Sequence, residues 1–205
     1  VMIAVPDQHQ TRLYHLVRLS VSGDWKDFGP FSVETVRGID FSEDGRLFAA
    51  ITDDDLYAFD DGEKTRLFPE RRENYLAISM SSAGELFAFA SSDMILSSNS
   101  VTLARTSGAQ VWVKNLSADV TGIRLAPDAS RLLAGTEDGT AVMLSDSRDT
   151  IWELDGEDSI TAVDMSHTGE ISVLGDKLGK AQAVGIRGNK LWKLAGIAPV
   201  TDCAV

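Results

Sequence analysis

Cysteine and basic residues are scarce in this chain, and each scarcity excludes a class of function. The 205 residues include one cysteine, Cys203, which excludes an intramolecular disulfide and a cysteine-based zinc site. Lysine and arginine number 19 against 31 aspartates and glutamates, which gives a net charge of −12. Because a protein that binds phosphates needs a basic surface, we exclude nucleic acid as a partner.

Long apolar runs and the common catalytic motifs are also missing. No run approaches the roughly 20 apolar residues of a membrane-spanning helix, so we expect no membrane insertion. His9, His15 and His167 fall at no metal-ligand spacing, and there is no G-x-S-x-G motif and no phosphate-binding glycine loop. We therefore expect no metal, no cofactor and no catalytic residue, and we favour a binding protein over an enzyme.

What the chain does contain is a repeat. Trp112, Trp152 and Trp192 lie 40 residues apart, each in a segment of the same shape. A fixed period of about 40 residues, built from short alternating stretches, is typical of the blades of a β-propeller. We expect these tryptophans to be structural, largely buried in equivalent places between neighbouring blades.

The first strand of each unit gives the register of the repeat. Apolar residues at its fourth and sixth positions alternate with small or polar ones, which predicts a strand. The five copies are Val36–Phe41, Tyr75–Met80, Val120–Leu125, Ile160–Met165 and Val200–Val205. Their starts are separated by 39, 45, 40 and 40 residues.

Turn signals and three further strands after each first strand predict four-stranded antiparallel units. The first unit lacks its first strand, and the last unit is a first strand alone, Val200–Val205. We therefore predict an all-β fold: one propeller domain over residues 1–205, with four intact blades and a fifth, split blade assembled from both ends. Because the chain begins at Val1 without methionine, we also expect that it is a fragment of a longer protein.

The acidic composition bears on the source and the compartment. Strong negative charge favours solubility and is used by proteins from salt-loving organisms, although a simply acidic mesophilic protein fits as well. The absence of a signal peptide favours the cytoplasm. Export stays an alternative, since a trimmed start would hide such a segment.

One basic cluster stands out as a candidate partner-binding surface. Arg66, Arg71 and Arg72 lie close together in an acidic chain. They could receive a carboxylate or an acidic loop of a partner, or they could pair with local acids such as Glu70 and Glu73.

An insertion provides the second candidate surface. The segment 91–100 accounts for the 45-residue spacing, and insertions in propellers map to loops. Its apolar trio Met94, Ile95 and Leu96 could form a partner-binding patch or pack on the edge of a blade.

The densest group of carboxylates is a candidate metal site with a simpler alternative. Asp53, Asp54 and Asp55, followed by Asp60 and Asp61, offer oxygen ligands of the kind that calcium binds. The spacing matches no calcium loop, and a solvated turn between two strands explains the same residues.

Two segments resemble a known repeat. Gly108–Trp112 and Gly188–Trp192 both read G-x-x-x-W, which resembles the tryptophan-docking repeat of PQQ-like, quinoprotein-type propellers. The turn Ser42–Gly45 is similar to the corresponding turn of WD40 repeats. Arg148 replaces the glycine in one unit, and Phe68 replaces the tryptophan in another. The resemblance implies the fold, and it places no quinone or calcium site on any residue.

These observations favour a non-catalytic scaffold that presents loops on one propeller face to a protein partner. The alternative is a quinoprotein-like enzyme, or a sensor of a small ligand, with its site in the central channel. Such a site would need acidic and aromatic residues that converge from several first strands. The candidates are Asp40 and Asp164 with Arg37 and Arg124.

Overall fold

The structure, a computed structural model, describes residues 2–6, 14–19, 24–31, 36–52, 55–60, 63–68, 73–93 and 98–205. These residues contain no helix and therefore none that could span a membrane. Their nineteen strands are β1 (Met2–Pro6), β2 (Tyr14–Leu19), β3 (Trp25–Phe31), β4 (Val36–Phe41), β5 (Leu47–Thr52), β6 (Leu56–Asp60), β7 (Glu63–Leu67), β8 (Asn74–Met80), β9 (Leu86–Asp93), β10 (Ser98–Arg105), β11 (Gln110–Leu116), β12 (Val120–Leu125), β13 (Arg131–Thr136), β14 (Thr140–Ser145), β15 (Thr150–Asp155), β16 (Ile160–Met165), β17 (Ile171–Asp176), β18 (Lys180–Gly185) and β19 (Lys190–Ala195).

Consecutive strands pair antiparallel in five separate sheets. The first, β1–β3, has three strands, and each of the sheets β4–β7, β8–β11, β12–β15 and β16–β19 has four strands in chain order. This confirms the prediction of an all-β fold with four four-stranded antiparallel units. Across the described residues, the sheets are not joined to one another by strand pairing, and they do not close into one continuous sheet.

The predicted strand Val200–Val205 is not formed, and this prediction was wrong. Residues 196–205 contain no strand, and they do not pair with β1–β3. Their hydrogen bonds go to the last sheet instead. The N–H of Val200 donates to the carbonyl of Asp176 at 3.0 Å, and the hydroxyl of Thr161 donates to the carbonyl of Val200 at 2.5 Å. Isolated bonds of this kind replace the continuous pairing that a strand requires.

An irregularity in pairing recurs at the same place in every four-stranded sheet. A β-bulge adds an unpaired residue to one strand and bends it. The register between first and second strands shifts at the start of each first strand, between Val36 and Gly38, Tyr75 and Ala77, Val120 and Gly122, and Ile160 and Ala162. The repeat therefore extends to the backbone geometry.

The buried cores lie between neighbouring sheets. Three clusters each combine two consecutive sheets: β4–β7 with β8–β11, β8–β11 with β12–β15, and β12–β15 with β16–β19. A fourth cluster lies on β5 and β6, around the stacked rings of Phe48 and Phe59. Since side chains alternate between the two faces of a strand, each sheet buries both faces only when sheets pack on both sides.

The three tryptophans occupy equivalent positions but differ in burial. Trp152 is 6% exposed, and a Cβ added at Gly188, in the turn of the next sheet, would lie 2.9 Å from its Cβ. Trp112 is partly buried, and its indole N–H donates to the carbonyl of Asp146, also in the next sheet, at 2.7 Å. Trp192 is 50% exposed. Burial was therefore wrongly predicted for Trp192, because no described sheet follows β16–β19 to cover it.

In the sheet β4–β7, a leucine takes the place of the tryptophan. Leu67 is buried, and a Cβ at Gly108, in the turn of the next sheet, would contact its side chain at 3.4 Å. Phe68, the expected replacement, packs its ring against Phe89 with centroids 5.4 Å apart.

The turn before Trp152 keeps its shape without glycine. Arg148 has a φ of 72°, in the left-handed region where Gly108 and Gly188 have 89° and 80°. A residue with a Cβ costs roughly 1–2 kcal/mol in this conformation. The packing of the turn on the preceding sheet therefore overrides the local preference of Arg148.

Alanine substitutions should separate the buried tryptophan from the exposed one. Trp152→Ala leaves a cavity between two sheets and should lower the free energy of unfolding by about 3–5 kcal/mol. Trp192→Ala is the matched control at the equivalent position, and it should cost less than about 1 kcal/mol, because half of that side chain is already in solvent. Urea unfolding followed by circular dichroism measures both. Equal losses in the free energy of unfolding would contradict the exposure of Trp192 on the last sheet.

Candidate functional site

A side chain at the fifth position of each first strand links neighbouring sheets. The N–H of Met80 donates to Oδ2 of Asp40 at 2.7 Å, and the N–H of Leu125 donates to Oγ of Ser79 at 3.0 Å. In both cases the donor is the sixth residue of the next first strand. The residues at the fifth position are Asp40, Ser79, Arg124 and Asp164.

The C-terminal segment makes the same link to the last sheet. The N–H of Val205 donates to Oδ2 of Asp164 at 2.8 Å. A methyl group at Gly175 would overlap Val200, as one at Gly135 would overlap Ile160. Residues 200–205 therefore pack on β16–β19 in the way that β16 packs on β12–β15, although they form no strand.

The link changes between β12 and β16. The side chain of Arg124 has no acceptor atom, and its Nε lies 3.0 Å from Oδ1 of Asp164. A second series of bonds joins the turns, from the N–H of Glu43 to the carbonyl of Ser82 and from the N–H of Ser82 to the carbonyl of Pro127, each 2.9 Å long. Pro127 has no N–H with which to continue it. This interface therefore uses an ion pair where the two before it use backbone donors.

The carboxylate of Asp40 is held by three donors. Oδ1 accepts the N–H of Phe41 at 2.9 Å, and Oδ2 accepts the N–H of Met80 and, at 3.2 Å, the hydroxyl of Ser79. None of these donors is charged. The group is thus fixed in place, and no described lysine or arginine lies within ion-pair distance of it.

A cavity of about 350 Å³ opens where the ends of the first strands meet the turns that follow them. Its walls come from equivalent places in successive repeats. The lining residues include Asp40, Phe41, Glu43, Met80, Arg124 and His167. Phe41 is 48% exposed, so the cavity offers an aromatic surface beside carboxylates.

The structure brings together part of the set expected for a central site. Asp40 and Arg124 line the cavity, and Asp164 pairs with Arg124. Arg37 is exposed at the start of β4 and does not line it. Sequence reasoning missed Ser79. Ser79 could have been found from the sequence, because the fifth position is polar in each of the aligned first strands up to Ile160–Met165.

Arg66 is the predicted partner-binding residue that can be described. Its Nε and Nη2 lie 2.6 and 2.5 Å from Oδ1 of Asp55, and the hydrogen bond and charge of that carboxylate raise the pKa of Arg66. Its guanidinium is thus already paired with an acid of the same sheet. The remaining predicted residues lie outside the described residues: Arg71, Arg72, Met94, Ile95 and Leu96.

The aspartate cluster does not assemble a metal site in the described part of the chain. Asp55 accepts from Arg66 and from the hydroxyl of Tyr57, and Asp60 lies 3.7 Å from Arg46. Asp53, Asp54 and Asp61 lie outside the described residues. No group of three potential ligands that could hold a metal ion occurs among the residues described.

Cys203 is a poor nucleophile. Burial, followed by the charges of Asp164 and Asp202, raises its pKa to about 11, and its thiol donates to the carbonyl of Val173 at 3.7 Å. Because the thiolate is the reactive form, the raised pKa lowers the reactivity of this cysteine at neutral pH.

Comparison with known proteins assigns the chain to no family. No protein-family model matches it, and no curated protein shows significant similarity to it.

Ser79→Ala tests the link between the sheets β4–β7, β8–β11 and β12–β15. The substitution removes the acceptor for the buried N–H of Leu125 and one donor to Asp40, so the free energy of unfolding should fall by about 1–3 kcal/mol. Ser82→Ala is the control, because Ser82 joins neighbouring turns through its backbone alone. Chemical denaturation measures both variants. A loss at Ser79 no larger than at Ser82 would contradict the role of the side chain.

Proposed function

We propose that this chain is a β-propeller that acts as a non-catalytic scaffold for a protein partner. The repeated link between first strands supports the fold, because it stacks consecutive sheets through their innermost strands. Stacking of this kind sets equivalent turns of several sheets around one cavity, and propellers use such a face to present loops.

In this proposal four blades are intact, and the fifth combines β1–β3 with residues 200–205. The first sheet has one strand fewer than each of the others. Val200 and Val205 contact the last sheet as a following first strand would. Pairing of β1–β3 with this segment would supply the strand that the first sheet lacks.

The engagement of the central polar groups supports binding over catalysis. Ser79 is 1% exposed, accepts from Leu125 and donates to Asp40. Asp164 accepts from Arg124 and from Val205. A nucleophile or general base must reach its substrate. These groups would have to release a contact between sheets to do so, whereas binding of a partner requires no such release.

Site-specific photo-crosslinking of the full-length protein in its source cells tests the scaffold. A photoreactive phenylalanine analogue at Ala83, in an exposed turn and next to Ser82 of the cavity wall, should crosslink to a protein partner. The same analogue at Glu137, in the exposed turn between β13 and β14 at the opposite end of the sheets, is the control and should not.

Crosslinking at both positions to the same extent would contradict a partner-binding face. If the purified protein contains a stoichiometric small molecule and no protein is crosslinked at Ala83, the scaffold proposal is rejected in favour of an enzyme or ligand sensor.

A further inference from the structure

We infer that the cavity between the first strands receives a basic side chain, lysine or arginine, from the partner. This inference rests on the proposed scaffold function and adds the chemistry of what the scaffold holds. Its starting point is Asp40, whose carboxylate lines the cavity and is fixed by three uncharged donors.

The charges around the cavity favour a cation. Asp40 and Glu43 line it from β4 and the turn that follows, and neither has a cationic partner in the described chain. Arg124 is the fixed cation of the lining, and Asp164 already compensates it. Two carboxylates therefore remain without a counter-charge.

The electrostatic field of the whole chain also favours a basic partner. A net charge of −12 attracts a basic partner from a distance and raises its rate of association. An acidic partner would meet repulsion at long range and, inside the cavity, an arginine whose Nε is already paired.

The apolar part of the lining suits the stem of a basic side chain. The ring of Phe41 is half exposed beside Asp40, and the electron-rich face of an aromatic ring attracts a cation. Met80 and Met165 also line the cavity, and thioethers adapt to irregular surfaces. Lysine and arginine bury their methylene stems along such surfaces while the charged end meets a carboxylate.

The size of the cavity accommodates a side chain with its flanking backbone and excludes a folded domain. Its volume of about 350 Å³ lies at the lower end of the usual range of ligand pockets. A folded domain cannot enter, so the partner would insert one anchoring residue, and its other contacts would fall on the turns around the mouth.

Fluorescence anisotropy with a defined probe tests this inference on the full chain. The probe is a fluorescein-labelled hexapeptide of glycine and leucine with two lysines, and its controls carry two glutamates or two norleucines instead. At low salt, only the lysine probe should bind, since exposed charges attract most strongly there.

Paired variants separate the cavity from general attraction to an acidic surface. Asp40→Asn with Glu43→Gln should weaken binding of the lysine probe at least tenfold. Glu137→Gln with Glu153→Gln removes the same charge from exposed positions outside the lining and should weaken it less than threefold. Equal weakening by both pairs would overturn the inference, as would equal binding of the glutamate probe.

Because Asp40 also links sheets, its substitution could reduce binding by unfolding the protein. Two single substitutions control for this. Glu43→Gln and Phe41→Leu leave every side-chain hydrogen bond between first strands intact. Each should weaken the lysine probe at least threefold with an unchanged unfolding midpoint. Unchanged binding in both would overturn the inference. If the photoreactive analogue at Ala83 still crosslinks to a partner in that case, the scaffold function is retained and only the inference of a basic anchoring residue is rejected.

Discussion

The contact on which the rest of this structure depends is a hydrogen bond from the backbone of one first strand to a side chain on the strand before it. An N–H that points away from its own sheet has no partner there, and leaving it buried and unpaired costs free energy. Asp40 and Ser79 supply the acceptors for Met80 and Leu125. Because donor and acceptor hold the same places in both pairs of first strands, the bond fixes how far β8–β11 slides against β4–β7 and β12–β15 against β8–β11.

The side chains that link the first strands are also those on which the proposed recognition of a basic side chain depends. A polar side chain at an inner position costs desolvation unless its hydrogen bonds offset it. Asp40 has those bonds, and it forms no ion pair with a described lysine or arginine. At the next polar position Arg124 uses an ion pair, and Pro127 ends the series of bonds between turns. The lining is therefore acidic on the β4 side and compensated on the β12 side.

The sequence pattern predicts what depends on local chemistry. Period-two alternation and turn residues are local, so the strands and the four-stranded units were predicted correctly. The exposure of Trp192 and the irregular backbone of Val200–Val205 depend on which sheet lies alongside, and no local pattern carries that information. The role of Ser79 lies between these cases. Its polarity is visible in the alignment of the repeats, but its partner Leu125 is 46 residues away.

Amide hydrogen exchange at Met80 and Leu125, resolved by NMR, tests the link between first strands most directly. If these N–H groups bond to Asp40 and Ser79 in solution, they should exchange only through global unfolding, as slowly as amides in the central strands β9 and β13. Exchange at the rate of exposed turn amides such as that of Asp44 would mean that the first strands are not joined, and it would contradict the account.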